Sequence, residues 1–107
     1  MEDRRRPLKA VRWADRAIGN LRAIEDYIAV DNPTAASRLV SGVLERVEAL
    51  REFPESGRRV PELPGHSARE ILFRNYRIMY QVVEDRIYVL NVIEGHRLLR
   101  AEDLPDA

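Results

Sequence analysis

The sequence contains no cysteine, which excludes disulfide frameworks, thiolate metal sites and cysteine nucleophiles. Histidine is almost as scarce, because only His66 and His96 occur and they lie 30 positions apart. The chain therefore has too few histidines to predict a histidine-based metal site. We expect the protein to carry neither a metal ion nor a cofactor.

Lysine and long hydrophobic runs are nearly or wholly absent as well. Lys9 is the only lysine, so the other 17 basic residues are arginines. Genomic base composition explains such a bias, and arginine forks also suit phosphate and carboxylate groups. No segment is apolar for about 18 residues, so nothing predicts a membrane span. The arginines at 4–6 are not followed by an apolar run, which argues against a secretion signal and for a cytoplasmic protein.

A length of 107 residues with 45% hydrophobic content fits one domain with a buried core. We assign residues 1–107 to that domain, with the core over about 8–100. The tail at 101–107 is expected to be poorly ordered unless it docks on the domain. Eighteen basic and 18 acidic side chains give zero formal net charge. Net charge therefore excludes a strongly basic nucleic-acid-binding protein.

The zero net charge hides one basic stretch. Residues 13–55 carry a formal charge of −3, whereas residues 56–80 carry +3. Blocks of like charge usually mark a solvated face, so we predict a basic surface in this part of the fold. The charged residues of the stretch are Arg58, Arg59, Arg69, Arg74 and Arg77, with Glu62 and Glu70.

Two amphipathic helices are predicted after a short strand at 8–13. From residue 14 onward apolar side chains recur every three or four positions, which is typical of one helix face. Asn32 suits a helix N-cap and Pro33 the first helical position, so a second helix begins there. It is predicted to run to about residue 53, because Pro54 ends it. The short link makes the pair an antiparallel helical hairpin.

Three strands follow a loop at 56–67 that is rich in proline and glycine. The segments 68–73, 76–83 and 86–93 are rich in β-branched and aromatic residues, and the two-residue gaps between them predict hairpins. The resulting order is β-α-α-β-β-β. It predicts an α+β domain of two layers, with an antiparallel sheet covered on one face by the helical hairpin.

Alternation along the middle strand predicts which of its side chains face the helices. Arg77 falls on the opposite, uncovered face, near the arginines of the basic stretch. Trp13 is expected to pack on the first turn of the first helix. The predicted core face consists of Tyr76, Ile78, Tyr80 and Val82.

Three short motifs occur in an informative order along the chain. They are Asp31-Asn32-Pro33-Thr34-Ala35-Ala36 between the helices, Phe53-Pro54-Glu55-Ser56-Gly57-Arg58 after the second helix, and Tyr76-Arg77-Ile78-Met79-Tyr80 in the middle strand. Their order and spacing, over about 8–100, resemble the RelE/ParE superfamily of toxins from bacterial type II toxin–antitoxin systems. The β-α-α-β-β-β order agrees with the fold that this resemblance implies.

One branch of the superfamily, the RelE-like toxins, consists of ribosome-dependent mRNA endonucleases. Such a cut needs a base, an acid and cations around the crowded phosphate. By resemblance, Arg77 matches the branch's strand arginine, Arg97 its later arginine, and His96 is a possible proton-transfer group. The lysines expected ahead of the hairpin are missing, because 68–70 reads Ala-Arg-Glu, and no tyrosine follows Tyr88. The nuclease set is therefore incomplete.

The ParE-like branch is the better match and implies an inhibitor of DNA gyrase that is not itself an enzyme. A RelE-like endonuclease is the alternative hypothesis for the function, and a non-toxic binding module is the third. The arginines that could meet a partner are Arg58, Arg59, Arg69, Arg74, Arg77 and Arg97.

Both toxin hypotheses imply a cognate antitoxin, ParD-like or RelB-like, that forms a hetero-oligomer with this protein. We expect its amphipathic helix to enter a hydrophobic groove between the helical hairpin and the sheet. Its acidic residues are then expected to meet the arginines of 56–80.

Overall fold

The computed structural model describes residues 9–95 and residue 103, and it contains two helices and a five-stranded sheet. In chain order the elements are β1 (Ala10–Trp13), α1 (Asp15–Ala29), α2 (Pro33–Ala49), β2 (Arg58–Arg59), β3 (Arg69–Phe73), β4 (Tyr76–Val83) and β5 (Arg86–Glu94).

The strands lie in the order β1-β5-β4-β3-β2. The strands β2 to β5 pair antiparallel, whereas β1 pairs parallel to β5. The α+β fold is as predicted, but the prediction of a wholly antiparallel sheet is wrong at β1. A parallel pair needs a long crossover, and the two helices and three strands between β1 and β5 provide one. The short strand β2 lies in a segment that was predicted to be a loop.

The sequence signals at the start of α2 act as predicted. Asn32 Oδ1 accepts a hydrogen bond from the Ala35 amide at 3.0 Å, and Pro33 occupies the first helical position. The helix ends at Ala49, earlier than predicted, because the following turns tighten. The Leu50 amide, for example, bonds to the Val47 carbonyl three residues back at 3.0 Å.

The main core lies between the helices and one face of the sheet. Trp13 and Tyr76 pack against it from the side, as expected for core aromatic residues. The predicted helix-facing side chains of β4 are confirmed there and in the adjoining cluster around Tyr80. The buried residues of the main core are Ala17, Leu21, Leu39, Val43, Val47, Ile78, Val89 and Val92.

The second face of the sheet is covered as well, so the prediction of an uncovered face is wrong. Val60 and Ala68, which flank the proline-rich segment, are buried against Met79, and Leu63 packs beside them. This second cluster excludes water from the sheet face that carries Arg77. The Arg77 residue is consequently only 5% exposed.

Candidate functional site

Arg77 lies in the centre of β4 and is held by two carboxylates. Its Nε donates to Glu70 Oε1 at 2.7 Å. Its two terminal nitrogens reach the two oxygens of Glu62, Nη1 to Oε2 at 2.6 Å and Nη2 to Oε1 at 2.7 Å. Such two-pronged pairing uses the fork geometry of the guanidinium group fully. Hydrogen bonds to Glu62 and then to Glu70 outweigh the cost of burial and raise the pKa of Arg77.

Glu70 connects this pair to a second arginine. Its side chain is fully buried. Its Oε2 accepts a hydrogen bond from Arg58 Nε at 2.7 Å and forms an ion pair with Arg58 Nη2, also at 2.7 Å. The register of the sheet creates this contact, because Arg58 of β2 stands directly opposite Glu70 of β3. We call Arg58, Glu62, Glu70 and Arg77 the ion network. Two cations and two anions make it formally neutral.

The predicted basic surface is divided by the fold. Arg59 is exposed, and its guanidinium donates to the His66 carbonyl at 3.2 Å. Arg69 is half-buried and donates to the Gly57 carbonyl at 2.7 Å. Arg74 lies at the far end of β3 from these two. The five arginines of the stretch therefore form no continuous patch.

Four further positions, three from the predicted site and one from the predicted tail, need separate mention. Arg58 is 59% exposed, yet its guanidinium is paired with Glu70. Arg97 and His96 lie outside the described residues, so their roles stay predictions. Asp103, in the predicted tail, is buried, and its backbone carbonyl accepts from the Asn91 side chain at 2.8 Å. At this residue the chain contacts the sheet.

The motif after α2 is held by one tyrosine. The hydroxyl of Tyr80 accepts from the Gly57 amide at 2.9 Å and donates to the Pro54 carbonyl at 2.8 Å. A Cβ on Gly57 would lie 2.6 Å from that hydroxyl and 2.7 Å from the Glu70 carbonyl. Close approach, rather than a positive φ, therefore requires the glycine before Arg58. Burial raises the pKa of Tyr80.

Replacing Tyr80 with phenylalanine tests this anchor. We expect Y80F to lose about 1–3 kcal/mol of unfolding free energy, because the buried Gly57 amide loses its partner. In the native protein, neutral Tyr80 contributes stability that is complete below the ordinary tyrosine pKa and decreases as the pH rises past it. Urea unfolding at neutral and alkaline pH measures both effects. Y27F, at an 82% exposed position, is the control, and equal losses in the two variants would contradict the prediction.

An apolar groove opens between the two helices beside β1. It has a volume of about 370 Å³ and includes Trp13, Ile18 and Leu44 in its lining. Ile18 is 37% exposed and Leu44 is 47% exposed, so part of the helical stripe remains accessible. Charged side chains, Arg22 and Glu25, also line it. This groove is the closest counterpart in the described residues to the predicted one.

The described residues contain no group of three or more histidine, aspartate or glutamate side chains placed to hold a metal ion. Within the same part of the chain, no helix is both long and apolar enough to cross a membrane.

The arrangement of two helices on a mostly antiparallel five-stranded sheet is also found in solved structures from bacterial toxin–antitoxin systems. A solved structure of the chromosomal ParDE toxin–antitoxin system from Pseudomonas aeruginosa has this fold. It superimposes with a TM-score of 0.70 at 24% identity and covers 83% of this chain and 98% of that chain. The likeness supports the fold.

Sequence comparisons identify the family. The model of the "ParE toxin of type II toxin-antitoxin system, parDE" matches residues 11–99. "Putative toxin Y4kP" of Sinorhizobium fredii is 38% identical over 93 residues, which cover 83% of this chain and 91% of the relative. "Toxin RelE2" of Caulobacter vibrioides is 33% identical over 87 residues, covering 80% and 94%. The chain belongs to the ParE toxin family of type II toxin–antitoxin systems. The resemblance to the RelE/ParE superfamily is confirmed.

Proposed function

We propose that this toxin acts as a ParE-like inhibitor of DNA gyrase, by binding its target without cutting a nucleic acid. The observation that carries the proposal is the ion network. The guanidinium of Arg77 is enclosed by Glu62 and Glu70, so it is not offered to a phosphate in this structure. A role in folding accounts for this arginine without a role in chemistry.

The requirements of RNA cleavage favour the same proposal. A cutting toxin has to place cations around the phosphate and an acid and a base on either side of it. Lys9, the one lysine of the chain, directly precedes β1, and its Nζ donates to the Glu84 carbonyl. Arg97 and His96 are then the candidates left for a nuclease, and their roles are predictions.

We further propose that a cognate antitoxin neutralises the toxin by placing an amphipathic helix in the apolar groove at Trp13, Ile18 and Leu44. The ParDE neighbour is such a toxin–antitoxin system. Exposed apolar side chains in a groove fit the apolar face of a helix. Of the arginines at 56–80, Arg59 is exposed, carries no carboxylate partner among the described residues and lies outside the groove between α2 and the turn after β3, so it is the one to meet acidic antitoxin residues. A toxin that inhibits gyrase acts in the cytoplasm, so we propose a cytoplasmic location as well.

A supercoiling assay with purified gyrase tests the target. We expect the toxin to stop supercoiling and to accumulate cleaved DNA, and the same amount of toxin mixed with its antitoxin to leave gyrase active. In parallel, the toxin is added to a translation extract and the messages are analysed by primer extension. Intact messages with inhibited gyrase support the proposal. Unaffected gyrase with messages cut at the ribosomal A site would instead establish the RelE-like alternative, which the name of the Caulobacter relative favours. No effect in either assay, and no growth arrest on induction, would identify a non-toxic binding module.

A further inference from the structure

A second groove lies between α2 and the turn that joins β3 to β4. Its volume is about 510 Å³. Positions of α2 that recur every three or four residues form one wall, and the end of β3 forms the other. This wall faces away from the core, because the buried residues of α2 lie on another side of the helix. The groove contains Arg38 and Arg46 of α2 together with Arg74 of the turn. We call these three residues the arginine cluster.

Phe73 holds two members of the cluster in place. The guanidinium carbon of Arg46 lies 5.5 Å from the centroid of the Phe73 ring, and that of Arg74 lies 5.1 Å from it. These are cation–π distances. The ring approaches α2 closely at Gly42, where an added Cβ would lie 2.1 Å from the ring Cζ. The glycine in mid-helix therefore allows the ring and its cations to reach the groove.

The charge of the arginine cluster is not neutralised within the described residues. Arg38, Arg46 and Arg74 are exposed and form no ion pair with a carboxylate in 9–95 or 103. This contrasts with the ion network, in which cations and anions are matched. Glu45 is the acidic residue in the lining of the groove. Three arginines and one glutamate give the groove a formal charge of +2.

We propose that this groove binds the phosphate backbone of a nucleic acid. Beside the arginines, the hydroxyls of Thr34, Ser37 and Ser41 line it. Arginine and hydroxyl side chains are among the groups that contact phosphate oxygens in protein–DNA complexes. A helical peptide would need apolar side chains in the groove as anchor points. Phe73 is the aromatic residue in the lining, and Arg46 and Arg74 already contact its ring. The groove therefore suits a phosphate backbone better than a helical peptide. The zero net charge of the chain does not oppose such a local site, and the proposal is independent of the proposed gyrase target.

Fluorescence anisotropy with a short labelled DNA duplex of mixed sequence tests the proposal at several salt concentrations. The test variant replaces the arginine cluster with glutamine (R38Q, R46Q and R74Q). The matched control removes the same charge elsewhere, from exposed Arg12, Arg16 and Arg86. We expect the test variant to bind roughly tenfold or more weakly at low salt, and to lower the slope of log affinity against log salt by about 2–3. The control variant should keep most of the affinity and slope.

Several results would overturn this proposal. One is wild-type affinity in the test variant. Another is an equal loss of affinity in both triple variants, which would mean that the DNA responds to the total charge of the protein and not to this groove. Tighter binding of a polyglutamate peptide than of the duplex, lost in the test variant, would identify an acidic protein as the ligand. R38Q alone is the safeguard against misfolding, because the exposed Arg38 side chain forms no hydrogen bond, ion pair or ring contact within the described residues. We expect it to lower the salt slope by about 1 without changing the unfolding midpoint.

Discussion

Replacing Arg77 with methionine is expected to lower the unfolding free energy by about 3 kcal/mol or more, the size of effect seen when a buried ion pair loses one partner. The substitution leaves the fully buried Glu70 with Arg58 alone, and it leaves the partly buried Glu62 without the cation that binds both of its oxygens. Methionine fills most of the volume, so the loss reports on charge rather than on a cavity. Urea unfolding followed by circular dichroism measures it.

Two further variants separate the ion network from general damage. R58M removes the exposed arginine and should cost less, about 1 kcal/mol, because solvent screens that pair. The double variant E70L/R77M removes both buried charges, and we expect it to recover part of the loss, as apolar replacements of buried pairs do. An R77M protein as stable as the wild type would contradict the assignment. If the prediction holds, loss of toxicity in an Arg77 variant is not evidence for catalysis.

The sequence predicted most of the fold because its signals are local. Apolar spacing of three and four residues identified both helices, and alternation identified the three strands of the meander. The parallel pairing of β1 and the cover on the second sheet face were missed, because contacts between distant residues create them. Val60 and Leu63 lie in a proline-rich segment without any period, so nothing in the sequence indicates that they pack on Met79.

The candidate site was predicted less well than the fold. Arg77 was identified as a notable residue, but its burial was not predicted. A signal was available: a two-residue turn at 74–75 places Leu72 opposite Arg77, and Glu70 is then on the same face, diagonal to the arginine. Arg38 and Arg46 were missed altogether. They lie in the acidic half of the sequence, and only the packing of α2 beside β3 brings them to Arg74.

Replacing Asn91 with alanine is expected to cost about 2–3 kcal/mol of unfolding free energy, since each buried group left without its hydrogen bond costs about 1–3 kcal/mol. Asn91 is 1% exposed. Its Oδ1 accepts from the Asn20 side chain at 2.6 Å and from the Val92 amide at 2.8 Å, and its Nδ2 donates to the Asp103 carbonyl. The side chain thus connects α1, β5 and the C-terminal segment.

The position of Asn91 explains why an apolar residue does not replace it. The pairing of β4 with β5 shifts register there, from Met79 opposite Asn91 to Tyr80 opposite Val89. A bulge leaves backbone groups without ladder partners, and a side-chain amide can satisfy them. N20A is the matched control. Because Asn20 is half-buried in a helix, where alanine is favoured, we expect it to change stability by less than about 1 kcal/mol. Equal losses in N20A and N91A would contradict this explanation. They would mean that Asn91 stabilises the fold mainly through its hydrogen bond to Asn20, and not through its bonds to the Val92 amide and the Asp103 carbonyl.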